Sequence, residues 1–228
     1  MRILMKKNVL LIIFAVLMLS HPAYGRDDFQ YWSQLSLKAY QGEKFDVTLF
    51  SDARFMNDAN KLGLYFFSPR LLYHYSKNLD FGLNYTYIQS RSTSSTAVDD
   101  SYNWQNRAEV EINPQWAPAD WLKIKMRNRV EFRWIDAKGA DNTRYRQRWA
   151  FTIPVKNSAR IKSVYCNSEM FYDFKNRKIN ENRTIPAGMK FKVNDRMDLD
   201  VFYMIQSRKG SSDWSSNQIL GTLVSIEF

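Results

Sequence analysis

Along most of the chain apolar and polar residues alternate with a period of two, the pattern of a pleated strand whose successive side chains point to opposite sides. The clearest case runs from Trp121 to Trp149. Leu122, Ile124, Met126, Val130, Phe132 and Trp134 share one parity, broken only by Asn128, while Lys123, Lys125, Arg127, Arg129, Glu131 and Arg133 take the other. After the polar stretch 136–142 the alternation resumes, with Tyr145, Trp149, Phe151 and Ile153 on one face and Arg144, Arg146 and Arg148 on the other. The two runs predict a long antiparallel hairpin whose charged face carries eight cations and one carboxylate, Glu131. Like charges opposite one another on paired strands are destabilising. The ladder therefore requires water, carboxylates from neighbouring strands, or an anionic ligand.

The rest of the chain repeats the pattern without a convincing helical period. Further segments are expected at 29–40, 45–56, 62–75, 81–87, 107–112, 160–174, 182–193, 199–205 and 220–228, making eleven with the hairpin. Pro69 interrupts the third, as an edge, bulge or strand end would. The fifth is expected to stop at Pro114, and polar loops are expected at 89–102 and 207–217.

Alternation does not say which face meets water. A soluble sandwich or lipocalin-like barrel buries the apolar rows, whereas a membrane barrel turns them to lipid and keeps the charges inside. The membrane arrangement is favoured by segments of about 10 to 14 residues, long enough to cross a bilayer at the usual tilt, against about 5 to 6 for ordinary strands. Trp104, Trp116, Trp121, Trp134, Tyr145 and Trp149 crowd the segment ends, where aromatic girdles sit. Phe228, in phase with Ile226 and Val224, is like the C-terminal signal of many outer-membrane barrels. One lipid-facing Arg near the midplane costs about 2–4 kcal/mol, so the cations must face the lumen. The expected fold is all-β: a closed antiparallel transmembrane barrel of 10–12 strands, with 12 the best single number because bacterial single-chain barrels are even-numbered.

Composition adds location. Arg2, Lys6 and Lys7 precede the apolar run from Val9 to Leu19, and Ala23-Tyr24-Gly25 supplies a small-residue cleavage site. Residues 1–25 therefore read as a secretory signal peptide and 26–228 as a single domain. Cleavage would take the formal net charge from +10 to +7. Cys166 is the only cysteine, which excludes an internal disulfide or a multi-cysteine metal site. A basic balance suggests nucleic acid, but an exported protein meets little of it, so none is expected as partner.

Trp32, Ala53-Arg54-Phe55, Arg129-Val130-Glu131-Phe132-Arg133, Arg144-Tyr145-Arg146-Gln147-Arg148, Glu169-Met170-Phe171, and Asn182-Arg183 with Gly188 occur in that order. With them, nearly all of the mature chain resembles the bacterial proteins catalogued as domain of unknown function 2490, regarded as outer-membrane β-barrels. The resemblance implies a fold and a location and no established activity. Arg183 and Gly188 have opposite parity, so both face the lumen only across a bulge.

Chemistry beyond the ladder is sparse. His74 is the only histidine after the leader, and Ser76 beside it makes no triad by itself. A plain strand histidine is the simpler reading. No metal-ligand spacing and no glycine-rich phosphate loop are present, and no cofactor is expected. Glu109 with Glu111, and Asp198 with Asp200, lie on one face beside cations and read as lumen salt bridges. Asp99-Asp100 reads as a solvated loop tip rather than a calcium site.

The expected ligand-facing cations are thus Lys123, Lys125, Arg127, Arg129, Arg133, Arg144, Arg146 and Arg148, with Glu109, Glu111, Glu131 and Glu169 as counter-charges. Four carboxylates leave four of the eight cations unmatched, although aspartates across the barrel would reduce the excess. The expected function is a narrow outer-membrane diffusion channel for small anionic or acidic-sugar solutes rather than an enzyme. The alternatives are a salt-bridge-filled structural or surface-interaction barrel and a lipid-modifying hydrolase or acyltransferase. Expected partners are outer-membrane lipids, lipopolysaccharide, the barrel-assembly machinery acting through the C-terminal strand, and small anionic solutes.

Overall fold

The computed structural model describes residues 28–92, 101–136, 142–210 and 213–228. The expected signal peptide, residues 1–25, and Asp99-Asp100 lie outside the described residues. Eleven strands form one closed barrel, each pairing with its sequence neighbours. They are β1 (Asp28–Gln41), β2 (Phe45–Met56), β3 (Lys61–Ser76), β4 (Leu79–Arg91), β5 (Tyr102–Ala119) and β6 (Leu122–Ile135). Then come β7 (Arg144–Pro154), β8 (Ile161–Asp173), β9 (Lys178–Lys192), β10 (Met197–Lys209) and β11 (Trp214–Glu227).

The strand number is eleven, not twelve, and the eleven alternating segments are the eleven strands. An odd count closes only if two neighbours run the same way, and β1 does pair with β11 in parallel from Asp28↔Asn217 to Lys38↔Glu227. Every other pair is antiparallel. β3 runs through Pro69 as a single strand. Proline lacks the amide hydrogen that a ladder needs, so the β3–β4 pairing skips from Phe67↔Tyr87 to Arg70↔Asn84 and resumes in the same register. The Ser68 and Thr86 hydroxyls bridge the gap at 2.9 Å.

Several boundaries differ from expectation. β5 continues past Pro114 to Ala119, with its irregularity between Trp116 and Ala119. The loops at 89–102 and 207–217 shrink because polar residues with no alternation of their own extend the ladders to Arg91 and Lys209. The strand ends at Met56, Arg91, Ile135, Asp173 and Lys209 lie at one rim, called here the loop rim, and those at Gln41, Ser76, Ala119, Pro154 and Lys192 at the other, the turn rim.

The sheet is polar inside and apolar outside. Glu109, Glu111, Arg129, Glu131, Arg144, Arg146 and Glu169 are buried, whereas Leu83, Val110, Ile112, Phe132, Trp134 and Trp149 are exposed. The charged face of the β6–β7 hairpin therefore points into the barrel. The interior also holds an apolar sector of Trp32, Ile185, Phe202, Met204 and Ile219, with Tyr165 packed against it. Two glycines make room for it. A Cβ on Gly221 would lie 2.1 Å from the Phe202 ring, and one on Gly188 2.3 Å from that of Tyr165. Such close approach admits only glycine.

The start of β1 is tied to the loop rim, where the Asp28 carboxylate accepts from the Asn57 amide at 3.2 Å and the Asp58 amide at 3.0 Å. Asn57, Asp58 and Ala59 all adopt the left-handed conformation, with φ of 56°, 55° and 59°. Asn and Asp tolerate it through local hydrogen bonding, but alanine does not. Ala59→Gly is therefore expected to raise the unfolding free energy by about 1 kcal/mol, read as a higher urea midpoint. An unchanged or lower midpoint would show that the turn stores no such strain.

Candidate functional site

The lumen wall is built where β5 to β9 set charged residues at alternate positions. The β6–β7 register places Arg127 opposite Arg148, Arg129 opposite Arg146, and Glu131 opposite Arg144. The like-charged pairs are relieved by turning guanidinium groups to other strands. Arg129 donates to Glu109 at 2.7 Å and to Glu111 at 2.6 Å on β5. Arg146 donates to Glu131 at 2.6 Å and to Glu169 at 2.9 Å. Arg127 reaches across β7 to Glu169 at 2.6 Å. Arginine suits this because its planar fork presents several donors to carboxylates at once.

Glu131 is the centre of the network. It is 0% exposed, takes Arg144 at 2.8 Å and Arg146 at 2.6 Å, and has Arg107 and Arg129 at 3.8 Å. Further carboxylates come from strands that the hairpin pattern does not reveal. Glu181 on β9 accepts from Arg144 at 3.5 Å, Arg183 at 2.6 Å and Gln206 at 2.5 Å. Asp80 on β4 pairs with Lys125 at 3.3 Å.

Phe171 is enclosed by Arg144, Arg146 and Arg183, whose guanidinium carbons lie 4.5–4.7 Å from its ring centroid. Arg54, held by Asp52 at 3.0 Å, stacks 3.5 Å above Trp32. The bulge that Arg183 and Gly188 require is present: the β9 register shifts between Thr184 and Ala187. It puts Arg183, Ile185 and Lys190 on the same cavity wall.

Five of the eight expected cations, Lys125, Arg127, Arg129, Arg144 and Arg146, thus make ion pairs. Arg133 instead donates to the Asn142 carbonyl at 2.6 Å, and Lys123 is exposed near the turn rim. Glu109, Glu111, Glu131 and Glu169 all serve as counter-charges. Asp80 on β4 and Glu181 on β9 add two further carboxylates to the ladder, each from two strands away.

Arg148 makes no hydrogen bond or ion pair among the described residues, and Arg70 only a 3.5 Å contact to the Ser68 hydroxyl. Both face a cavity of about 590 Å³ bordered by eleven basic and five acidic side chains. Arg70 was legible as a lumen position, since it alternates with Leu71, but nothing in its own strand marked it as unpaired.

The other clusters carry less. His74 sits between two carboxylates, Nδ1 2.9 Å from Asp80 and Nε2 3.4 Å from Asp46, so neither ring nitrogen is turned to a hydroxyl. Asp198 bridges to Lys162 at 2.7 Å, and the buried Asp200 to Lys190 at 3.7 Å on the cavity lining. Among the described residues no group of three or more potential metal ligands occurs.

An ion-paired polar interior inside an apolar outer wall defines a closed β-barrel of inside-out polarity. The chain belongs to the family described as protein of unknown function, DUF2490, whose pattern matches residues 29–217. No curated protein and no solved structure matches it.

Proposed function

We propose that the protein is an outer-membrane barrel whose hydrated, basic lumen forms a narrow path for small anions. The observation that carries this reading is the pair of guanidinium groups, Arg70 and Arg148, that face the cavity without a carboxylate partner among the described residues. A desolvated, unpaired charge is too costly to keep, so both require water or an anion. The excess of basic over acidic side chains around them sets the sign of the solute, as rings of Arg and Lys do in anion pores. Eleven strands also enclose more space than the eight whose interior side chains just fill a barrel.

The location rests on the outward apolar rows, which fit lipid, and on a C-terminal strand suited to the barrel-assembly machinery. Contact with lipopolysaccharide follows if the loop rim faces outward. Heat-modifiable migration of membrane-extracted protein tests the location.

Planar-bilayer recording tests the path. Reconstituted protein is expected to give small anion-selective conductance, and Arg70→Gln with Arg148→Gln to shift the reversal potential toward the non-selective value. Absence of conductance, or cation selectivity, would refute the channel. A second reading has its own support: bridges that span intervening strands, such as Arg127–Glu169 and Lys125–Asp80, knit the interior together. A folded, membrane-resident barrel that passes no current would establish this structural role instead.

A further inference from the structure

The cavity that holds Arg70 and Arg148 has two unlike walls. One is the basic ladder of β6 and β7; the other carries Trp32, Phe50, Phe66, Phe202 and Met204, with the self-neutralised Arg54–Asp52 pair set among them. An anion path that served only inorganic ions would have no use for an apolar wall, which water wets poorly. The two arginines without carboxylates sit where the walls meet. Arg70 lies 3.8 Å above the Phe50 ring. Arg148 is in backbone register with Glu169 on β8, whose carboxylate is taken by Arg127 and Arg146, and two lumen positions along that strand is Tyr165, which packs on the apolar sector. Arg127, opposite Arg148 in the ladder, is close enough to repel both Arg70 and Arg148, so the three cations share one region. The Arg127 Nε is buried without a hydrogen-bond partner.

We infer that this junction is a binding site for a carboxylate carried on an apolar or aromatic body, its carboxylate seated among Arg70, Arg127 and Arg148 and its body against the Phe50–Phe66 side of the cavity. The inference rests on the hydrated-lumen reading above and names the solute class. Guanidinium groups supply parallel donors to the two carboxylate oxygens. Their mutual repulsion falls when an anion arrives, and the ring or chain displaces water from Phe50 and Phe66. A cavity of about 590 Å³ lies within the range of ordinary small-molecule pockets. Neither wall alone selects such a solute: a neutral aromatic lacks the charge, and acetate lacks the body.

Titration calorimetry of the full barrel in a non-ionic detergent, corrected with a micelle blank, tests this with 1-naphthoate, acetate and 1-naphthylmethanol. Naphthoate is expected to bind at least about tenfold more tightly than either of the others, from apolar burial and charge respectively. Arg148→Gln and Arg70→Gln, each checked for heat-modifiable folding, are each expected to weaken naphthoate about tenfold. Lys44→Gln, in an exposed turn, should leave it unchanged. Naphthoate binding no tighter than acetate, or unaffected in both arginine variants, would overturn the inference. Conductance is read separately. A barrel that binds naphthoate and passes no current loses the channel and keeps the site; one that conducts chloride without preferring naphthoate keeps the channel and loses the site.

Discussion

Glu131→Gln is expected to destabilise the barrel by about 3–5 kcal/mol, the range for breaking one partner out of a buried ion pair. The carboxylate is fully buried and is the shared acceptor of Arg144 and Arg146 on the facing strand. Glutamine keeps the shape and one acceptor oxygen but removes the charge, so two guanidinium groups face an amide while Arg107 and Arg129 remain within 4 Å. The loss is measured as a lower urea midpoint for unfolding from lipid vesicles. Adding Arg144→Met should recover part of it, because residues in one network do not act independently. A change under about 1 kcal/mol would mean that water, rather than Glu131, neutralises those arginines.

Val110→Arg addresses the outer wall. Val110 is 45% exposed and sits in a row with Leu83, 56% exposed, and Val130 across β4, β5 and β6. Facing lipid near the midplane, an arginine there costs about 2–4 kcal/mol. Facing water, the same substitution on an open surface changes stability by no more than about 0.5 kcal/mol. The folding free energy of the variant therefore reports directly on the solvent outside the barrel, and an effect at the lower value would remove the bilayer from the account.

How much of this could be read beforehand depended on range. Where one strand carries the information, alternation was enough: β2 spans Phe45–Met56 as its pattern requires, and the β6–β7 hairpin turns its cations inward. Parity also showed that Arg183 and Gly188 need a bulge. Three things were hidden. Phe202 and Met204 occupy the same parity as Asp200 and Gln206, so an apolar patch inside the lumen has no signature in a pattern that treats that face as polar. The partners of the ladder depend on how side chains reach past an intervening strand, and nothing local tells Lys125 to find Asp80 or Arg144 to find Glu181. The odd strand number was visible as eleven segments, yet the general rule of even counts outweighed it, because a parallel closing pair leaves no mark in either strand.

Under the proposed membrane location, that closing pair bears on how such a sheet would enter a bilayer. Hairpins insert as units with both feet on one side, and eleven strands amount to five such units and a single leg over. With β1 and β11 running the same way, Asp28 opens at the loop rim while Glu227, bridged to Lys38 at 3.0 Å, ends at the turn rim. In a barrel placed as proposed, a peptide tag ahead of Asp28 and one after Phe228 would report from opposite compartments, and one leg of the wall would have to thread across without a companion to shield its amides.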